Sequence, residues 1–146
     1  MAEEAAARQN EYRAVRWFVE GFTKRSGIQV TLNLDDVGRL PGPIETALFR
    51  VIQESLTNVH RHASTATASI TLTTTADAVA LDIEDQGRGL RDQVPHQHGT
   101  LPPETLGVGI QGMRERIRQL GGTFDVAFTD TGTTVRVRVP LHEDVA

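Results

Sequence analysis

The chain has 146 residues, a formal net charge of −4, 38% hydrophobic residues and 23% charged residues. That balance is typical of one soluble globular domain, and it excludes the basic surface by which many proteins bind nucleic acids. The absence of cysteine excludes disulfides and thiolate metal sites. No apolar run reaches the ~20 residues of a membrane-spanning helix, and the start lacks a signal-peptide layout. We therefore expect a cytoplasmic domain, whether or not the parent protein is anchored in a membrane.

Hydrophobic periodicity divides the chain into three helices and five strands. Gly27 supplies a helix end and Pro43 a helix start. The predicted elements, in chain order, are a helix over residues 5–25, a strand over 28–34, a helix over 44–62, strands over 67–74 and 78–84, a helix over 110–120, and strands over 123–128 and 134–139. Because the helices do not alternate regularly with strands, we expect a two-layer α/β sandwich rather than a doubly wound sheet.

The segment over residues 88–106 has no usable periodicity. It contains His96, His98, three prolines and several glycines. A loop of this length is uncommon in a compact domain, and it is usually functional or disordered. Two histidines without further ligands favour solvent exposure over a metal site.

A first polar constellation lies in the predicted second helix. Glu54, Asn58 and Arg61 are spaced i, i+4 and i+7, so they share one face. An amide oxygen can ligate Mg²⁺, a guanidinium can pair with phosphate oxygens, and a carboxylate can orient or deprotonate an attacking group. The alternative is a solvated helix face on which Glu54 neighbours Arg61. The core face of the same helix is predicted to contain Ile44, Leu48, Val51, Ile52, Ser55 and Val59.

A second constellation is the sequence DQGRG over residues 85–89, which directly follows a predicted strand. The glycines Gly87 and Gly89 let the backbone turn sharply and let a flat ligand approach closely. An aspartate at the end of a strand, here Asp85, can accept a hydrogen bond from an exocyclic amine such as that of adenine. The same short pattern also occurs in ordinary turns.

A third constellation, GVGIQG over residues 107–112, has the spacing of the dinucleotide-binding fingerprint. That fingerprint requires a strand directly before it and an acidic residue about 20 residues later in a βαβ unit. Here a proline-bearing loop precedes the glycines and a hairpin follows, so the Rossmann interpretation fails. The N–H groups at the start of the third helix still suit an anion, although a loop can also need glycine only to enter a helix.

Together these segments resemble the GHKL superfamily, which includes histidine kinases, gyrase-type and chaperone-type ATPases and MutL. Residues 54–63 are similar to its N box, residues 85–89 and 107–112 to its two glycine boxes, and Gly132-Thr133 to its closing Gly-Thr element. The sequence GIQGMRER at 109–116, followed by LGG, resembles the nitrate-sensor and desaturase-regulator branch of histidine kinases.

The resemblance implies the Bergerat ATP-binding fold, an α+β sandwich with a mixed sheet of about five strands covered on one face by three helices. It implies one catalytic domain over residues 1–146, with an ATP lid at about 90–106. No dimerisation helix precedes Glu11, so the phosphate-accepting histidine is expected in another domain. The isolated chain is then expected to be monomeric and inactive in autophosphorylation.

The resemblance also implies binding residues for ATP and Mg²⁺. Asn58 would ligate the metal, Asp85 would receive the adenine amine, and Thr133 would support the base. Glu54 is implied with Asn58 as catalytic, either as a base or as an organiser of the Mg²⁺ shell. The other residues implied to contact the nucleotide are Arg61, His62, Gly87, Gly89, Gly107, Gly109, Ile110, Gly112 and Met113.

The activity implied is transfer of the γ-phosphoryl of Mg-ATP to a histidine, for onward transfer to an aspartate of a response regulator. No direct contact of this domain with nucleic acid or membrane is expected. One alternative is an anti-sigma-factor-type serine kinase, against which the segment over 113–122 weighs. Another is a nucleotide-sensing module without catalysis. A gyrase- or chaperone-type ATPase fits less well, because those machines carry transducer domains.

Overall fold

The computed structural model describes residues 12–34, 40–62, 67–86, 99–100, 108–129 and 132–141. In these ranges the elements are α1 (Arg13–Ser26), β1 (Gln29–Asn33), α2 (Gly42–His62), β2 (Thr67–Thr74), β3 (Ala78–Asp85), β4 (Gly99–Thr100), α3 (Val108–Gln119), β5 (Thr123–Thr129) and β6 (Gly132–Pro140). The types and order of all predicted elements are confirmed. Gly27 ends α1 with a left-handed φ of 77°, and Pro43 lies in the first turn of α2.

The two-residue strand β4 corrects the expectation that residues 88–106 hold no regular structure. Gly99 pairs with Phe128 and Thr100 with Ala127, which adds β4 to the edge of the sheet beside β5. Two residues are too few for an alternation pattern, and this pairing depends on a partner far along the chain. Sequence periodicity therefore gave no sign of it.

The strands form one mixed sheet in the order β1-β2-β3-β6-β5-β4. Only β1 and β2 run parallel, and every other neighbouring pair is antiparallel. Five of the strands have at least five residues, as the resemblance implied. Because β3 and β6 are the central pair, the residue at the end of β3 is enclosed by strands on both sides.

One face of the sheet is buried under the three helices. Along β6, Val135, Val137 and Val139 are buried while Arg136 and Arg138 are exposed, which follows the alternation of valine and arginine in the sequence. The same core contains fully buried side chains of α2 and α3 together with the buried positions of β2, β3 and β5. The chain is thus an α+β sandwich whose open side is polar.

The open face contributes little to stability. Its cross-strand pair Asp82 and Arg136 places Oδ1 3.8 Å from Nε, with the two side chains 46% and 67% exposed. An exposed pair at this distance is worth at most about 1 kcal/mol. Folding therefore depends on the helix-covered face, where the candidate site is also built. Among the described residues, no helix is long and apolar enough to cross a membrane.

Candidate functional site

The N-box-like residues lie along one flank of α2. Glu54 and Asn58 are half-buried and Arg61 is exposed, so the three run from the edge of the core to solvent. On the adjacent face of the helix, Val51 and Leu56 are completely buried. This position gives Asn58 a fixed backbone and a side chain within reach of a solute. His62 is the last residue of α2, and its side chain lies outside the described part.

Asp85 and Thr133 form a buried polar pair in the middle of the sheet. They face each other in the antiparallel register of β3 and β6, and each is 8% exposed. On its other side Asp85 pairs with Ala68 of β2. A carboxylate enclosed by strands is costly to bury unless it is hydrogen-bonded, so polar groups must meet Asp85 here. The predicted acceptance of a hydrogen bond from a ligand amine by Asp85 stays a prediction, and this buried position is compatible with it.

Gly132 brings β6 unusually close to the end of β3. A Cβ at Gly132 would collide with the carbonyl oxygen of Asp85 and would lie 2.8 Å from the carbonyl carbon of Asp85. The φ of Gly132 is 156°, a conformation that other residues rarely adopt. Only glycine therefore permits this approach, which sets Thr133 beside Asp85. The sequence had indicated a turn and a Gly-Thr element here, but not this contact.

The start of α3 meets α2 at Glu54. A Cβ on Gly109 would lie 2.7 Å from the Cδ of Glu54 and 3.1 Å from its Oε1. The first and third constellations are therefore adjacent in space. Gly112, one turn later, is exposed, and a Cβ there would have no neighbour within 4 Å. The surface beside Gly112 is open.

The two apolar residues implied at the nucleotide site face the core. Ile110 is 1% exposed, and Met113 is half-buried and packs against the core. Ile110 can thus reach a ligand only through its backbone. The predicted contacts of Gly87, Gly89 and Gly107 lie outside the described residues, as do His96, His98 and all of the predicted lid except β4.

Asn58 remains the predicted metal ligand. In the described ranges, no group of three or more His, Cys, Asp or Glu side chains is arranged to hold a metal ion. Such a cluster is not needed when Mg²⁺ is held by one or two protein oxygens plus phosphate oxygens and waters. The donor set around α2 suits a metal that arrives with a polyphosphate.

Ser55 is a buried polar residue for which the sequence predicted only a core position. It is 3% exposed, and its Oγ has no hydrogen-bond partner among the described residues. A buried hydroxyl without a partner carries an unrecovered desolvation cost of about 1–3 kcal/mol. No sequence pattern distinguishes such a serine from one that bonds within its helix.

We expect Ser55→Ala to raise the free energy of unfolding by about 1 kcal/mol, because the desolvation cost disappears and alanine favours the helix. Urea unfolding measures the change. The control is Thr57→Ala on the same helix, where an exposed hydroxyl donates to the Gln53 carbonyl at 2.8 Å. Thr57→Ala should alter stability by no more than about 0.5 kcal/mol. Destabilisation by Ser55→Ala would instead mean that the hydroxyl is satisfied.

A family model described as "Histidine kinase-, DNA gyrase B-, and HSP90-like ATPase" matches residues 44–143. This range includes α2, both strands of the Asp85–Thr133 pair and the start of α3. The match thus rests on the same part of the chain as the site geometry.

Two curated relatives are sensor proteins of Gram-positive bacteria. Sensor histidine kinase LiaS of Bacillus subtilis is 29% identical over 128 residues, which cover 86% of this chain and 33% of LiaS. Sensor protein VraS of Staphylococcus aureus is 31% identical over 123 residues, which cover 83% of this chain and 33% of VraS. The chain therefore spans about a third of the length of these relatives.

A solved structure shares the fold. The blue-light activated histidine kinase of Erythrobacter litoralis EL346 superposes with a TM-score of 0.68 at 21% identity, over 87% of this chain and 44% of that chain. At this identity the likeness concerns the fold, which confirms the α+β sandwich expected from the sequence.

Proposed function

Since this chain belongs to the family of histidine kinase-, DNA gyrase B- and HSP90-like ATPases, we propose that it binds Mg-ATP and transfers the γ-phosphoryl to a histidine of a separate dimerisation domain. The observation that carries the proposal is the buried Asp85–Thr133 pair in the central strands. The sensor-kinase relatives support histidine as the acceptor and a response-regulator aspartate as the next one.

The residues fit the two ends of the nucleotide. The Asp85 carboxylate accepts a hydrogen bond from the adenine amine, and Thr133 beside it holds the base in place. Asn58 offers an amide oxygen to Mg²⁺, and Arg61 offers its guanidinium to phosphate oxygens. The open surface at Gly112 leaves room for phosphates beside α3.

In this reaction the protein positions the ATP phosphates and neutralises their charge, and it forms no covalent bond with the substrate itself. The bond between the γ-phosphorus and the bridging oxygen breaks, a bond from phosphorus to the imidazole nitrogen forms, and ADP leaves. Bound Mg²⁺ supplies charge neutralisation at the phosphate oxygens. Asn58 and Arg61 keep the phosphates fixed while the acceptor domain presents its histidine.

Several features of the parent protein belong to the same proposal. Residues 90–106 form the lid, the isolated domain is monomeric and cytoplasmic, and the nitrate-sensor and desaturase-regulator branch is the parent subfamily. The motif over 109–116 supports this subfamily. Phosphate transferred to a supplied acceptor domain should be labile to acid, as phosphohistidine is. Acid-stable phosphate would indicate a serine kinase instead.

We expect calorimetric titration of the wild type with a non-hydrolysable ATP analogue to give micromolar to millimolar binding that Mg²⁺ strengthens about tenfold. In Asn58→Ala this dependence on Mg²⁺ should vanish, because the amide ligand is gone. Thr57→Ala, at the exposed neighbouring position, should keep the dependence. Absence of binding to the folded wild type would overturn the proposal in favour of an interaction domain without catalysis.

A further inference from the structure

We infer that Glu54 is a positioning residue, whose carboxylate holds the start of α3 against α2 and thereby fixes the start of α3 relative to Asn58. The contact between the two helices is independent of the proposed function. Its consequence for nucleotide and phosphotransfer rests on that function.

The two helices meet where the carboxyl group of Glu54 lies against the backbone of Gly109, which has no side chain. The Glu54 carboxyl group occupies the space that a side chain on Gly109 would need, with Cδ 2.7 Å from the ideal Cβ position. Both residues are half-buried, and each is near a core anchor of its own helix, Leu56 on α2 and Ile110 on α3. The absence of a side chain at position 109 therefore leaves room for the Glu54 carboxyl group, in addition to any role in a glycine-rich loop.

Electrostatics favour this arrangement. Gly109 is the second residue of α3, where backbone N–H groups lack partners within the helix and the helix dipole is positive. The first turn of α3 contains no acidic residue of its own. Glu54 supplies that negative charge from a different helix. Both Glu54 and Arg61 are described, and no ion pair between them is recorded.

This contact changes the role expected of Glu54 in catalysis. The Glu54 carboxylate lies against the backbone of α3. A general base must instead lie within hydrogen-bond reach of the proton that it removes. Glu54 lies one turn before Asn58 on the same helix, so any shift of α3 is transmitted to the metal-binding flank. Glu54 thus connects the start of α3 to the flank of α2 that bears Asn58.

A double-mutant cycle on thermal stability tests the contact without nucleotide. Gly109→Ala alone should leave the melting temperature unchanged or lower it slightly, because the new methyl group must displace the end of the Glu54 side chain. In the Glu54→Ala background the same change should raise the melting temperature slightly, because alanine favours a helix and the obstacle is gone. Gly112→Ala is the matched control on α3 and should raise it in both backgrounds. Additive effects of Glu54→Ala and Gly109→Ala would overturn the inference.

Phosphotransfer to a supplied acceptor domain distinguishes positioning from proton transfer. Glu54→Gln keeps the length of the side chain and an oxygen beside Gly109, so it should stay within about threefold of the wild-type rate, while Glu54→Ala should lose about tenfold or more. Equal loss in both variants would overturn the inference and assign Glu54 as a base. If no variant binds nucleotide but the stability cycle is non-additive, the proposed function fails and the contact between the helices remains.

Discussion

Asp85→Asn should weaken binding of an ATP analogue at least about 100-fold, or about 2.7 kcal/mol. The Asp85 carboxylate is 8% exposed in the central strand pair, where a hydrogen bond to a charged group has little competition from water. Asparagine keeps the shape of aspartate but can turn its NH₂ toward the adenine amine. In either orientation of the amide the hydrogen bond weakens, because an amide oxygen accepts without the charge of a carboxylate and an NH₂ meets the amine donor to donor. Calorimetric titration of the wild type and the variant measures the loss.

The same strand offers a matched control for this result. Asp82 lies three residues before Asp85 on β3, is exposed on the open face and pairs with Arg136. Asp82→Asn makes the same chemical change on the opposite side of the sheet, so its affinity for the analogue should equal that of the wild type. A weakened Asp82→Asn would indicate that net charge, rather than a contact with the base, controls binding.

The base itself provides a second check on Asp85. Inosine triphosphate carries a carbonyl oxygen where ATP carries the amine, so the wild type should discriminate strongly against it. Asp85→Asn should narrow or reverse this preference, because the asparagine NH₂ can donate to that oxygen. If Asp85→Asn prefers ATP over inosine triphosphate as strongly as the wild type does, another residue recognises the adenine amine.

Local patterns were sufficient to predict most of the fold. The alternation of Val135, Val137 and Val139 with arginines fixed which face of β6 is buried, because burial of one face imposes a period of two. The helical stripe through Val51 and Ile52 did the same for α2. The strand β4 was missed because two residues hold no period and their pairing is set by tertiary contacts.

The site was predictable in its residue types but not in its contacts. The sequence indicated that Asp85 follows an apolar strand, but its burial between β2 and β6 is seen only in the structure. The approach of Gly132 to the backbone of Asp85, and of Glu54 to Gly109, joins segments 47 and 55 residues apart along the chain. Spacing within a motif carries no information about which other motif it will touch, so only the folded chain reveals these contacts.

Gly132→Ala should lower the free energy of unfolding by about 3–5 kcal/mol and remove nucleotide binding. The added methyl group would meet the carbonyl group of Asp85, and this obstacle is backbone in the central strand pair, which cannot rotate away as a side chain can. Overpacking costs about 1–3 kcal/mol, and a φ of 156° costs a non-glycine residue a further 1–3 kcal/mol. Urea unfolding followed by far-UV circular dichroism measures the loss.

Gly42→Ala is the control for the Gly132 variant, because it makes the same substitution in the first turn of α2, where a Cβ would have no neighbour within 4 Å. Its stability should stay within about 1 kcal/mol of the wild type. The contact also predicts that two effects occur in order. Gly132→Ala first pushes the start of β6 away from the end of β3, which separates Thr133 from Asp85. Unfolding of the sheet follows only at a higher temperature. Nucleotide affinity should therefore fall at temperatures where circular dichroism still reports a folded variant. A Gly132→Ala variant with wild-type stability and affinity would mean that β6 can withdraw from Asp85 at no cost, and that the close approach is not needed to hold the site.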